Sequence, residues 1–413
     1  MSITSESRPS LLSQLLQVPV IVAALGYLVD MYDLFLFSVV RVPSLKALGV
    51  PNDQLLTEGI TLLNYQMAGM LIGGVLWGII ADKKGRLSVL FGSIIMYSVA
   101  NIGNGFVTSL DQYAILRFIA GVGLAGELGA GITLVTEVLP KEIRGYGTTL
   151  VATLGVLGAI LAYFVADMFA WRISYFVGGG MGLILLVLRF NVFESGIFDK
   201  VKEKSVDRGN ILMILTNWKR LSKYLMAILI GLPIWFVVGI LITFSPEFGL
   251  AKGIEGINAG KAVMIAFSGQ VFGDIVSGLL SQYLKSRKKV IGLFIIFSLV
   301  MVVGYLMIPI TDLFSFYILC ALLGFCNGYW TLFITIAAEL FGTNLRATVA
   351  TTVPNFVRGA TIPLAALFVQ FKPGIGVIQS GLLIGVTTSA VALLALYFIE
   401  ETFTKDMDFV EKE

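Results

Sequence analysis

Apolar runs of about 20 residues, the length of helix that crosses a bilayer, recur along the chain between short polar breaks. Twelve are expected as spans: 18–42, 60–81, 87–107, 111–138, 144–168, 171–192, 222–244, 260–283, 289–309, 313–339, 345–370 and 375–399. The longest polar stretch, FESGIFDKVKEKSVDRGNILMILTNWKR, follows the sixth run and separates two groups of six. The expected fold is an all-α membrane protein of twelve transmembrane helices. It divides into an N-terminal segment 1–17, a six-helix bundle 18–192, a central loop 193–221, a second bundle 222–399 and a tail 400–413.

The two groups of six echo each other. Gly78-Ile-Ile-Ala-Asp82 is matched by Gly278-Leu-Leu-Ser-Gln282, and Glu137 with Arg144 by Glu339 with Arg346. An offset of half a chain marks a duplicated transporter fold with its substrate site between the halves, near the middle of the membrane.

Composition agrees with the pattern. Of 413 residues, 57% are hydrophobic and 13% charged, and the mean hydropathy is +0.90. Soluble domains are nearer a quarter charged, so a soluble enzyme or nucleic-acid-binding protein is excluded. The N-terminal MSITSESRPSLLSQLLQ lacks a basic region and a cleavage site, so the first apolar run is expected to be retained. Histidine is absent, and Cys320 and Cys326 share one apolar run. They read as packing thiols, and no metal or cofactor is expected.

Lysine and arginine orient the chain. With both termini in the cytoplasm, 20 of the 29 basic residues fall on the inner side. Six fall on the outer side, Arg41 among them; Arg189 lies near a membrane surface, and Arg117 and Arg358 lie inside spans. The expected location is the inner (plasma) membrane, with both termini cytoplasmic.

Charges inside spans are costly and mark function. Asp30 and Asp33, in GYLVDMYDLFLF, share one helix face. Asp33 and Arg117 lie about 13 and 9 Å below the outer ends of their spans at 1.5 Å per residue, so they can pair. Asp30 and Arg358 fall near the midplane. A guanidinium there can anchor a carboxylate through two parallel hydrogen bonds, or it can neutralise Asp30 or Glu127. Glu127 reads as a second proton site or as a partner of Arg358. Asp274, aligned with Gly74 by the repeat, is a further proton or substrate candidate. Candidate cavity residues are Tyr27, Tyr32, Asn64, Gln66, Trp235, Gln270, Asn327, Tyr329, Trp330 and Asn355. Gln270, Asn327 and Asn355 lead this set, and packing between helices is the alternative for each. GVGLAG at 121–126 has the spacing of a dinucleotide loop but sits inside a span, where small residues permit close helix packing. KSRKK at 285–289 is expected as a cytoplasmic loop rather than a nucleic-acid site.

Several motifs together resemble the major facilitator superfamily. GGVLWGIIADKKGR (73–86) resembles its signature between spans 2 and 3, and RFIAGVGLAGE (117–127) its span-4 motif. TEVLPKEIRG (136–145) and AELFGTNLRA (338–347) resemble the acidic–basic pairs at the inner ends of spans 4 and 10. EETFTKDMDF (400–409) resembles the tail of sugar porters and metabolite/proton symporters. DMYD (30–33) and Arg358 in NFVRGA resemble elements of aromatic-acid/proton symporters, although Met31 replaces the usual Gly and Gln282 stands opposite Asp82 in the repeat.

The resemblance, for the Asp33–Arg117 pair and the gating network, and the depth and chemistry of the other residues together give the expected roles. Proton coupling would fall to Asp33 paired with Arg117, supported by Asp30 and Glu127. Asp30, Arg358, Gln270, Asn327, Asn355, Tyr32 and Trp235 would meet substrate. Asp82, Lys83, Arg86, Glu137, Arg144, Glu339 and Arg346 would form the gating network. The expected function is import of a small polar metabolite, an organic anion or zwitterion, by proton symport with alternating access. The proton is the only coupling ion expected, and one chain suffices as a monomer. A sugar or polyol symporter remains an alternative. So do a proton antiporter, which LGVLGAILAYF disfavours by lacking a proline after Gly158, and a membrane nutrient sensor. No nucleophile–base set suggests an enzyme.

Overall fold

The computed structural model describes residues 11–84, 86–140, 143–194, 212–403 and 411. The first half comprises α1 (Leu11–Leu15), α2 (Val18–Ala47), α3 (Leu55–Lys84), α4 (Arg86–Asn104), α5 (Leu110–Leu124), α6 (Glu127–Val138), α7 (Arg144–Met168) and α8 (Trp171–Glu194). The second comprises α9 (Leu212–Leu215), α10 (Trp218–Phe236), α11 (Ser245–Ala251), α12 (Ala259–Leu284), α13 (Arg287–Met307), α14 (Leu313–Cys326), α15 (Trp330–Glu339), α16 (Thr343–Gly359) and α17 (Thr361–Phe398). A π-helical turn, Val237–Ile242, joins α10 to α11.

The helix ends follow local chemistry. Ser109, Asn217, Asn258, Ser286 and Asp312 cap α5, α10, α12, α13 and α14 by accepting backbone N–H bonds. The spans expected at 111–138 and 313–339 are each interrupted, α5 from α6 and α14 from α15. Pro233 precedes the π-helical turn, where a missing N–H loosens the regular ladder. The span expected at 345–370 is made of α16 and the first part of α17, and α17 continues into the last span past a break at Gly376, whose φ of 84° a side chain would oppose.

The duplication is visible in packing. Gly73 of α3 lies against the Val122 carbonyl of α5, and Gly273 of α12 against the Phe325 carbonyl of α14. A Cβ at either position would strike that carbonyl, so glycine sets how closely each helix pair approaches. Phe272, Leu279, Ile184 and Val99 face outward with more than half of their surface exposed, which suits lipid rather than water.

Helix α2 lies at the centre. It packs against α6, α7 and α8 of its own half and reaches α12 of the other. Across the halves, α3 meets α16 and α7 meets α12. Twelve crossings return the chain to the side on which it began. This side is termed the terminus end, and the opposite side, where Arg41 and Glu247 lie, the far end.

Candidate functional site

A small cavity lies between the halves. Tyr27, Met31 and Phe35 of α2 form one wall. Ile234 and Trp235 of α10, Val238, Phe267 and Gln270 of α12, Trp330 of α15 and Arg358 of α16 form the other. Every one of these side chains is buried, none more than 5% exposed. Towards the far end, Phe35 stacks on Trp235 with centroids 5.9 Å apart and meets Phe267 at 4.3 Å. Towards the terminus end, Trp330 Nε1 donates to Tyr27 Oη at 3.3 Å. Contacts between the halves therefore bound the cavity at both ends.

Arg358 supplies the cavity's cationic group. Its guanidinium lies 5.8 Å from the ring centroid of Trp235 and 5.8 Å from that of Trp330. Nη1 donates to Asn355 Oδ1 at 3.3 Å, and Nε has no hydrogen-bond partner. Asn355 is itself held by the carbonyls of Ala125 and Thr351, each 2.9 Å from Nδ2. It therefore orients Arg358 and ties α16 to the first half. A buried guanidinium between two indoles, with donor capacity to spare, suits a planar carboxylate.

The other polar candidates separate. Gln270, Trp235 and Arg358 line the cavity, but Tyr32 and Asn327 do not. Tyr32 donates its hydroxyl to the Ser174 carbonyl at 2.8 Å, pinning α2 to α8. Asn327 Nδ2 turns to the Ile234 carbonyl at 3.4 Å, inside the second half. Asp274 accepts from the Thr331 backbone N–H at 3.3 Å beside the cavity wall. Gln66 and Tyr329 likewise bind backbone carbonyls, those of Leu34 and Ile230.

Asp30 and Asp33 are fully buried, and none of their carboxylate oxygens accepts a hydrogen bond. The contact expected between Asp33 and Arg117 is not made. Arg117 instead donates to Asn101 Oδ1 at 2.8 Å and lies over the Tyr175 ring at 4.9 Å. Asn101, one helix away, competes for the guanidinium at no cost in charge. Of the two roles expected for Glu127, the pairing with Arg358 is not made: its partner is Arg189. Nη2 and Nη1 of Arg189 reach Oε2 and Oε1 at 2.8 and 3.1 Å, and Ser93 donates to Oε1 at 2.8 Å. Arg189 was expected near a membrane surface. It is 1% exposed and packs on Gly26, where a Cβ would meet its guanidinium.

Arg41, expected on the outer side, lies at the far end, but it is completely buried there and paired with Glu247 at 2.7 Å. Among the gating residues, the side chains of Asp82, Lys83, Arg86, Glu137 and Arg144 lie outside the described residues. Glu339 is described, and Arg287 grips both of its oxygens at 2.7 Å. Arg346 donates to the carbonyls of Ala338 and Phe341, at the end of α15. Arg287 thus stands in the place expected for a network partner, and its address in a basic loop concealed it.

The Major Facilitator Superfamily model matches residues 23–366, most of the chain. The chain belongs to the major facilitator superfamily. Its relatives are transporters. The niacin transporter NiaP of Acinetobacter baylyi is 26% identical over 361 residues, covering 79% of this chain and 80% of that one. The sialic acid transporter NanX of Escherichia coli is 26% identical over 391 residues, covering 91% and 92%. The inward-open xylose transporter XylE of E. coli superposes with a TM-score of 0.70 at 17% identity, covering 94% of this chain and 97% of that one. This facilitator is accordingly a multi-pass membrane transporter of small molecules and not an enzyme.

Proposed function

We propose that this facilitator imports a small planar organic anion by proton symport. The observation that carries this reading is Arg358, buried between Trp235 and Trp330 with an unused Nε in a closed cavity. The space before it is small, which favours a compact molecule. Its walls are aromatic and aliphatic, with Gln270 as the other polar group. A carboxylate would take the guanidinium while its flat body lay between Phe35, Trp235 and Trp330. The named substrates of two relatives, niacin and cis,cis-muconate, are of this kind.

Asp33 and Asp30 carry the coupling proton. A carboxyl buried without a partner is tolerated far better neutral than ionised, so this closed arrangement is the proton-loaded one. When the cavity opens to the cytoplasm, Arg117 leaves Asn101 for Asp33 and the proton departs. Both termini face the cytoplasm, on the positive-inside balance of the loops. The side chains of Asp82, Lys83, Arg86, Glu137 and Arg144, with Glu339 and Arg346, gate the cytoplasmic end, and the chain works as a monomer.

The test is binding. Thermal stabilisation of the purified protein is measured with nicotinate, benzoate, cis,cis-muconate, nicotinamide and xylose. Stabilisation by one or more acids and by neither neutral compound, lost in Arg358→Gln, is the expected result. Stabilisation by xylose alone would contradict the reading.

A further inference from the structure

At the far end, Arg41 and Glu247 join the two halves through one buried ion pair. Nη1 reaches Oε1 at 2.7 Å and Nη2 reaches Oε2 at 2.8 Å, in fork geometry. Arg41 has no exposed surface, and the Glu247 side chain is 17% exposed. The guanidinium also lies 4.5 Å from the Phe244 ring and donates to the Thr243 carbonyl at 3.4 Å. Thr243 Oγ1 in turn donates to Ser38 Oγ at 3.1 Å. Residues 243–247 of the second half thus close over the end of α2.

These contacts differ in which half they belong to. Arg41 Nη1 also donates to the Leu55 carbonyl at 3.1 Å, and Ser44 donates to the Arg41 carbonyl at 3.0 Å, both within the first half. If the far end opens, Arg41 stays with α2 and α3 while Glu247 leaves with the second half. The described polar contacts between halves towards the terminus end are neutral: Asn355 to the Ala125 carbonyl, and Trp330 to Tyr27.

We infer that Arg41 and Glu247 form the latch that closes the far-end mouth of the cavity. The pair is strongest where it is desolvated, in the closed state. Opening the mouth separates two charges that water must then solvate. Removing one partner leaves the other charge buried and alone, which penalises the closed state specifically. The inference rests on alternating access between the halves, and on no particular substrate, coupling ion or membrane orientation.

Val39 reports the state of this mouth. It is 8% exposed and packs on Gly260 of α12, across the boundary between halves. Cys320, fully buried within the second half, serves as an internal control. In purified full-length protein carrying Val39→Cys and Cys326→Ser, maleimide labelling of positions 39 and 320 is followed by mass spectrometry. Adding Glu247→Gln, or separately Arg41→Gln, is expected to raise labelling at 39 about tenfold or more, with none at 320. The exchange Arg41→Glu with Glu247→Arg is expected to return it to within about threefold of the parent. An unchanged rate at 39, an equal rise at 320, or an exchange variant as fast as the single ones would each overturn the latch. Labelling needs no substrate, so it remains informative even if no anion is transported.

Discussion

Arg189 holds Glu127 by both carboxylate oxygens, at 2.8 and 3.1 Å, with both side chains at most 3% exposed. The pair joins α8 to the first turn of α6, and Ser93 of α4 completes it. Three helices of one half therefore meet at one desolvated charge pair.

Breaking that pair is expected to cost stability. Arg189→Gln should destabilise by about 3–5 kcal/mol, because Glu127 is left buried without a counter-charge. Replacing both by methionine should cost much less than the sum of the single changes. Thermal unfolding in detergent measures both. A single variant as stable as the parent would show that the pair is dispensable.

The anchor role of Arg358 predicts that lysine cannot replace it. A lysine keeps the charge but loses the fork and the planar face between Trp235 and Trp330. Arg358→Lys is expected to weaken binding of the transported acid about tenfold or more. Calorimetric titration reads the change, and unaltered affinity would make Arg358 a simple neutralising charge.

Much of this was legible in the chain, and the exceptions have physical reasons. Asp30, Asp33, Arg117 and Arg358 stand out because each interrupts an apolar run. The doubled Gly73 and Gly273 contacts follow from the repeat. Arg189 did not stand out, since it sits where a span gives way to the central loop and charge is unremarkable there. Arg41, near the end of α2, and Glu247, in the short α11, are 206 positions apart, so nothing local announces the pair. Phe35 and Phe267 shape the cavity but are apolar residues in apolar helices, where pattern cannot separate wall from lipid face. Asn101 also went unmarked, and a neutral amide is enough to take Arg117 from Asp33 in the closed arrangement.

Asp33→Asn should separate coupling from movement. The amide cannot release a proton, yet it fits where the partnerless carboxyl now sits. Exchange of labelled for unlabelled substrate across the membrane is expected to persist, while accumulation driven by a pH gradient is lost. Accumulation at the parental level would remove Asp33 from the coupling path.

The tail contributes a pH-dependent contact outside the membrane. Burial pushes the Glu401 carboxyl up. Hydrogen bonds from the Ser286 hydroxyl and from the backbone N–H groups of Arg287, Phe403 and Thr402 more than offset this and hold it below the usual glutamate range. The folded value lies below the unfolded one of about 4.3, so the contact is complete above that pH and is lost as pH falls through the folded value. Amide exchange protection at Arg287, Lys288 and Phe403, each bonded to Glu401, should be full at pH 7 and fall only once the pH drops below the usual glutamate range. Glu401→Gln should lower it at pH 7, and protection independent of both would show that the tail is held by other contacts.

The most direct test of proton-coupled anion import uses proteoliposomes loaded at pH 7.5 and diluted to pH 5.5, with protein-free liposomes correcting for passive entry of the acid. Radiolabelled nicotinate and cis,cis-muconate are supplied outside, with an uncoupler in a parallel sample. Accumulation of at least one of them above the liposome control, abolished by the uncoupler and by Arg358→Gln, is the predicted result. Entry of neither acid beyond the control, or entry unaffected by the uncoupler, would contradict it.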